Sequence, residues 1–247
     1  MIKEGDLVSR ISYKNDIVFV VEKIINDIAY LKGYTVRLCA DAKISDLLIY
    51  QKEIKDENGF YDYLNNIKTD ERDNYFYIPG KILHIDGDEN YLSKSMKFYK
   101  KANVLAIGIH SREEDINDNI LDYLNDVNPD IVVITGHDSN TKNNSKYFAE
   151  AVKKCRKYQK DYDKLIIIAG ACQSDYELLL KSGANFASSP KRVNIHALDP
   201  ALIAISLSLL DKDREVNLIE LLNKTSNGID GIGGVTTKGV LRKGYPK

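Results

Sequence analysis

The sequence predicts an α/β protein: a mainly parallel sheet with helices on both faces, preceded by a small all-β unit. Two observations predict it. From Pro79 onward, continuous apolar runs alternate with amphipathic stretches about a dozen residues long, the pattern of parallel strands buried on both sides. Before residue 46 the pattern is different, with short β-prone runs separated by Lys-Asn-Asp and Lys-Gly turn chemistry.

The N-terminal runs are GDLVSRISY, DIVFVVEKI and IAYLKGYTVRLCA. About four short strands within residues 1–45 suggest an SH3-like barrel, although a meander without a binding role of its own fits the same pattern. Residues 46–77 are charged and tyrosine-rich, with Asp-Glu-Asn-Gly at 56–59, and read as a helix followed by a linker. The third unit, residues 78–247, carries the alternating pattern. Its strands are expected at 81–86, 104–110, 130–136 and 164–170, with a short fifth at 184–188. Helices are expected at 91–102, 114–127, about 145–160, 174–182 and about 199–211. The tail from Gly228 to Gly239 holds five glycines.

Composition narrows the function classes. The chain has 247 residues, 35 basic and 36 acidic, for a formal net charge of −1. That balance gives no global attraction to nucleic acid or to an anionic membrane. No apolar run approaches the roughly 18–20 residues that span a bilayer, and MIKEGDLVSR has no apolar signal region. Cys39, Cys155 and Cys172 form neither a CxxC pair nor a disulfide framework, which fits synthesis in a reducing, cytoplasmic setting. Histidines 84, 110, 137 and 196 are dispersed and show no metal-binding spacing, so neither a metal nor a cofactor is expected.

In a parallel sheet with right-handed crossovers, strand C-termini share one edge, and chemistry collects there. That edge receives His84, Asp86 and Asp88, then His110, then His137 and Asp138, then Cys172 and Gln173. Two segments have the same form: DIVVITGHDS ends a β-branched block in Gly136-His137-Asp138, and KLIIIAGACQS ends one in Cys172. An imidazole that takes the thiol proton makes cysteine a strong nucleophile. A helix starting just after Cys172 would lower the thiol pKa through its dipole. The Cys172 amide, with support from Gln173, Gly136 and Asp138, would face the oxyanion. His110 is the alternative base and His84 a weaker one, while His196 is expected to order a loop near Asp199. Taken alone, a cysteine closing a buried strand is more often structural, and the pairing with His137 is what favours chemistry.

The block-to-His, block-to-Ala-Cys arrangement, with His137 lying 35 residues before Cys172, resembles the caspase-like cysteine peptidases of legumain, gingipain and clostripain type. It departs from them in having Gly136-His137-Asp138 where the group has His-Gly, and Gly170 before Ala-Cys where caspases have Gln. PGKILHIDGDENYL, ITGHDS, AGACQSDYE, SGANFASSPKRVNIHALDP and GIGGVTTKGVLRKGYP, with GDLVSRISYKNDIVFVV and VRLCADAKISDL, resemble the YabG sporulation peptidases of endospore-forming bacteria over nearly the whole chain. The resemblance implies a cysteine endopeptidase made in the mother cell, with Cys172 as nucleophile and His137 as its partner. It would process spore coat and related proteins and associate with the forming coat. Cleavage beside basic residues is in character for the group, which makes Asp86, then Asp88 or Asp199, candidate substrate-binding residues. The rival readings are an amidotransferase-like cysteine hydrolase, which would want a glycine two residues past the nucleophile, and a non-enzymatic coat-assembly protein.

Overall fold

Alternating burial shapes the N-terminal sheet of the computed structural model, which describes residues 2–51, 62, 76–138 and 144–245. Strands β1 (Leu7–Arg10), β2 (Val18–Ile25), β3 (Ile28–Gly33), β4 (Cys39–Lys43) and β5 (Leu47–Ile49) pair antiparallel in the order β4-β3-β2-β1-β5, the order of an SH3-like barrel. Along β3, Ala29, Leu31 and Gly33 face inward while Ile28 and Tyr30 face solvent, the period-two signature of a sheet with one wet face. Asn26 and Asp27 both adopt positive φ (47° and 62°), as a two-residue hairpin turn between β2 and β3 requires. Val8, Phe19, Val21, Leu31 and Leu47 form this unit's own small core. The strand at Leu47–Ile49 falls inside the span read from sequence as helix and linker. It pairs with β1 and completes the sheet. Residues 52–61 and 63–75 of that span lie outside the described residues.

After β6 (Phe76–Ile78), the second sheet is built from β7 (Ile82–Asp86), β8 (Ala106–His110), β9 (Ile131–Thr135), β10 (Ile166–Ala169), β11 (Phe186–Ser188) and β12 (Ile232–Gly234). Their order is β12-β11-β10-β9-β7-β8, and every pair is parallel except the β11–β12 edge. The glycine-rich tail thus supplies an edge strand that sequence periodicity does not show. A last strand, β13 (Arg242–Gly244), pairs with β6.

Among the described residues, seven helices cover the sheet: α1 (Glu89–Lys101), α2 (Ile116–Val127), α3 (Ser145–Tyr158), α4 (Tyr176–Ser182), α5 (Asp199–Ser208), α6 (Leu218–Leu222) and α7 (Gly228–Gly231). One face packs Phe98 and Tyr99 of α1, most of α5, and Leu221 and Leu222 of α6 against Ile82, Val133 and Ile168. The other packs Ile120 of α2, Phe148 of α3 and Leu179 of α4 against Leu83, Val132 and Ile167. Alternate residues of each strand go to opposite faces, which is why these strands read as unbroken apolar runs.

Candidate active site

The register fixes where the two chemical loops leave the sheet. Ile134 of β9 pairs with Ala169 of β10, and His137 and Cys172 each lie three residues beyond that pair. Adjacent strands run about 4.8 Å apart, so the two loops emerge side by side. Gly170 turns the chain at φ 110°, and a Cβ there would meet Leu179 at 2.9 Å. That combination reserves the position for glycine.

The loops are also tied together. Asp138 accepts hydrogen bonds from the Asn144 amide (2.9 Å), the Ser174 hydroxyl (3.0 Å) and the Ser145 hydroxyl. Ser174 accepts from the Ala171 amide (2.9 Å), and Ser145 from the Asp175 amide (2.8 Å). One buried carboxylate therefore anchors the His137 loop to the turn that carries Cys172. A shared network of this kind rigidifies what it joins.

Cys172 itself is fully buried. Its sulfur accepts from the Ile195 amide at 3.3 Å and lies 3.7 Å from the Ile195 carbonyl. Burial pushes the thiol up to about 11, against the opposing pull of the Ile195 and Arg37 amides and the Arg37 charge. The sequence expectation of a helix dipole at this thiol is not met. Asp175 caps α4 through the Leu178 amide, the helix begins at Tyr176, and Gln173 turns away at φ 60°. The Gln173 amide donates to the Ser189 hydroxyl at 3.2 Å.

His137 sits between two carboxylates. Its Nε2 is 3.5 Å from Asp88, its Nδ1 is 3.8 Å from Glu113, and its amide donates to Glu113 at 2.8 Å. Burial lowers its pKa, and the Arg37 charge adds to that, while Asp88 and Glu113 oppose both. Glu113 also explains Gly136, where a Cβ would meet the Glu113 carboxylate at 2.5 Å. Sequence reading missed Glu113, which lies in an acidic run (SREED) with no motif of its own. Replacing Glu113 with Gln removes an anion that favours the imidazolium. The expected result is a lower His137 midpoint in an NMR titration of the imidazole, and an unchanged midpoint would separate Glu113 from His137 electrostatically.

The other candidates fall elsewhere. His110 is exposed at the end of the edge strand β8. With β7 and β9 between it and β10, it stands about 14 Å from the Cys172 strand at ordinary sheet spacing, so the structure does not bring it to the thiol. His84 is fully buried and bonded to the Tyr99 hydroxyl (2.9 Å) and the Thr135 hydroxyl (2.8 Å). Asp199 accepts from the amides of His196 and Ser226, each at 3.0 Å, and orders the 194–199 loop. His196 orders the same loop, as expected, its Nδ1 accepting from the Leu198 amide at 3.1 Å. Cys39 is exposed on β4, and Cys155 is buried in α3 with its thiol pushed up to about 12.

Asp86 and Asp88 are both engaged by cations of the N-terminal sheet. Asp88 caps α1 through the Asn90 and Tyr91 amides (2.9 and 3.1 Å) and pairs with Lys32. Asp86 accepts from Arg37 at 2.9 and 2.7 Å, from the Thr135 hydroxyl at 2.9 Å and from the Asp88 amide at 2.9 Å. Burial alone would raise the Asp86 pKa. Arg37 and His84 outweigh it and hold the carboxyl far below the usual carboxylate range. Among the described residues, no group of three or more His, Cys, Asp and Glu side chains is placed to hold a metal ion.

A buried thiol and an imidazole thus lie at adjacent strand ends of the parallel sheet, on the same edge as a carboxylate that holds a guanidinium. Comparison with known proteins gives the class: the YabG peptidase U57 family model matches residues 3–246. The chain belongs to that family and is a peptidase. It is 40% identical, over 284 residues, to the sporulation-specific protease YabG of Bacillus subtilis (strain 168), with 98% of this chain and 97% of that protein covered. No described helix is long and apolar enough to cross a membrane.

Proposed function

We propose that the protein is a cysteine endopeptidase of sporulation that cuts spore coat and related proteins beside basic residues, with Cys172 as nucleophile and His137 as its base. One observation carries this reading. The Arg37 guanidinium rests on the Asp86 carboxylate and donates to the Ala197 carbonyl at 3.2 Å, two residues past Ile195, whose amide donates to the Cys172 sulfur. A peptidase selecting arginine needs this relation between pocket and nucleophile.

In this mechanism His137 takes the Cys172 proton, and the thiolate attacks the carbonyl carbon that follows the basic side chain. The resulting oxyanion is held by backbone amides at Cys172 and after His137. Collapse expels the amine, which takes the proton from His137 and leaves a thioester. Water, deprotonated by His137, then hydrolyses that thioester and restores the thiol. Asp138 keeps the two loops in register, and Glu113 and Asp88 orient and charge the imidazole. No cofactor enters any step. Synthesis in the mother cell followed by association with the forming coat completes the reading.

Cleavage of purified coat protein is the test. His137→Ala is expected to lower kcat by at least about a hundredfold, with His110→Ala close to wild type. Loss in His110→Ala with activity kept in His137→Ala would reassign the base.

A further inference from the structure

The arginine on Asp86 belongs to this chain. Residues 34–38 connect β3 to β4, and this connection leaves the N-terminal sheet to enter the edge of the parallel sheet. Val36 bridges antiparallel to His196, and the Ala197 amide donates to the Thr35 carbonyl at 2.8 Å. The loop thus makes an isolated antiparallel bridge to residues 196 and 197, a single pairing of the kind by which peptides dock through their backbones. The bridged segment follows Ile195, whose amide holds the Cys172 sulfur.

Arg37 is the largest fully buried side chain among the described residues. Besides the two contacts to Asp86, its guanidinium donates to the Ala197 carbonyl at 3.2 Å and stacks 4.9 Å from the Tyr91 ring. The loop is fastened at several other points. Tyr91 donates to the carbonyls of Gly33 and Val36 (2.8 Å for the latter), Lys94 donates to the Tyr34 carbonyl at 3.2 Å, and Lys32 pairs with Asp88. An arginine carried into the core on a hairpin loop has no structural necessity. Burying an ion pair seldom stabilises a fold more than apolar side chains of similar size would.

We infer that the 34–38 loop is a tethered pseudo-substrate: Arg37 occupies the pocket for a basic side chain and closes the peptidase until the N-terminal sheet moves away. The turn geometry fits an occupant that resists cleavage. The Leu38 amide folds back to the Val36 carbonyl at 2.9 Å, and the Leu38 carbonyl accepts from the Gly33 amide at 2.7 Å. The bond after Arg37 is therefore held in a tight loop and not in an extended strand.

The inference rests on the reading of Asp86 as the pocket for a basic side chain, and its test needs no catalysis. In full-length Cys172→Ala, binding of a short peptide ending in arginine is measured by calorimetry with and without Arg37→Ala. An internal ligand reduces apparent affinity by the fraction of open molecules. Arg37→Ala is expected to bind the peptide at least about tenfold more tightly, and Arg37→Lys, which keeps a cation in the pocket, to remain near the parent. Thermal melts check that each variant is folded. A Lys32→Ala variant, which loosens the docked sheet without entering the pocket, is expected to shift affinity in the same direction. Equal affinity with and without Arg37 overturns closure and leaves the pocket reading intact. Absence of binding in all variants overturns both. An intact mass showing the wild-type chain cut after Arg37 overturns the inhibitory role, because the loop would then be a substrate.

Discussion

Cys172→Ala is expected to abolish peptide cleavage, by three orders of magnitude or more in kcat, without lowering thermal stability appreciably. Removing the nucleophile of a covalent hydrolase eliminates the acyl-enzyme route entirely, and the oxyanion donors and substrate contacts that remain accelerate only weakly. The structural cost is small, because the thiol contributes its contacts to the Ile195 amide and carbonyl and the packing of a small side chain. The comparison is made in the wild-type chain and in Arg37→Ala, so that closure of the pocket does not hide the difference. A kcat within about tenfold of the parent in both backgrounds would remove the thiol from the chemistry.

The second large effect is on stability. Asp86→Ala leaves the fully buried Arg37 guanidinium without its carboxylate, and breaking a buried pair by deleting one partner costs about 3–5 kcal/mol. For a chain of this size that is a fall of about 10 °C in Tm. The cost comes from stranding the charge, so Arg37→Ala/Asp86→Ala is expected to be markedly more stable than Asp86→Ala alone. Additive losses in the double variant would show that the two side chains act independently. The pair also sets a pH dependence. Folding depresses the Asp86 pKa, so its stabilising contribution is present above the unfolded value of about 4 and is lost as pH falls below it.

Much of this fold is legible in the residues because its signals are local. Runs such as Ile131–Thr135 and Ile166–Ala169 are apolar on both faces, so they read directly as central parallel strands. The equal offset of His137 and Cys172 beyond two such runs is visible in the twin motifs DIVVITGHDS and KLIIIAGACQS themselves. What sequence reading misses depends on contacts between distant parts of the chain. Arg37 in VRLC looks like a solvated hairpin residue, and its partners, Asp86 and Ala197, lie 49 and 160 residues away. Glu113 sits in an acidic run whose neighbours Arg112, Glu114 and Asp115 pair with one another at the surface. Its contacts with His137 and its packing against Gly87 and Gly136 single it out, and none of these is visible in the sequence. The edge strand at Ile232–Gly234 is hidden for another reason: glycines carry no periodic signal, and the strand exists through pairing with Phe186–Ser188. The helix expected just after Cys172 begins later because Asp175 caps it, and the intervening Gln173 adopts a left-handed turn.

The central claim is that Cys172 is the nucleophile beside a pocket for arginine. A peptidyl-arginyl chloromethyl ketone tests it most directly, because its guanidinium selects the pocket and its chloromethyl carbon alkylates whichever nucleophile lies next to it. After reaction with the wild-type chain and with Arg37→Ala, peptide mapping by mass spectrometry is expected to find a single label on the Cys172 sulfur. The label is expected to form faster in Arg37→Ala and to be absent from Cys172→Ala. A label on the imidazole of His137, or on Cys39 with Cys172 unmodified, would contradict it.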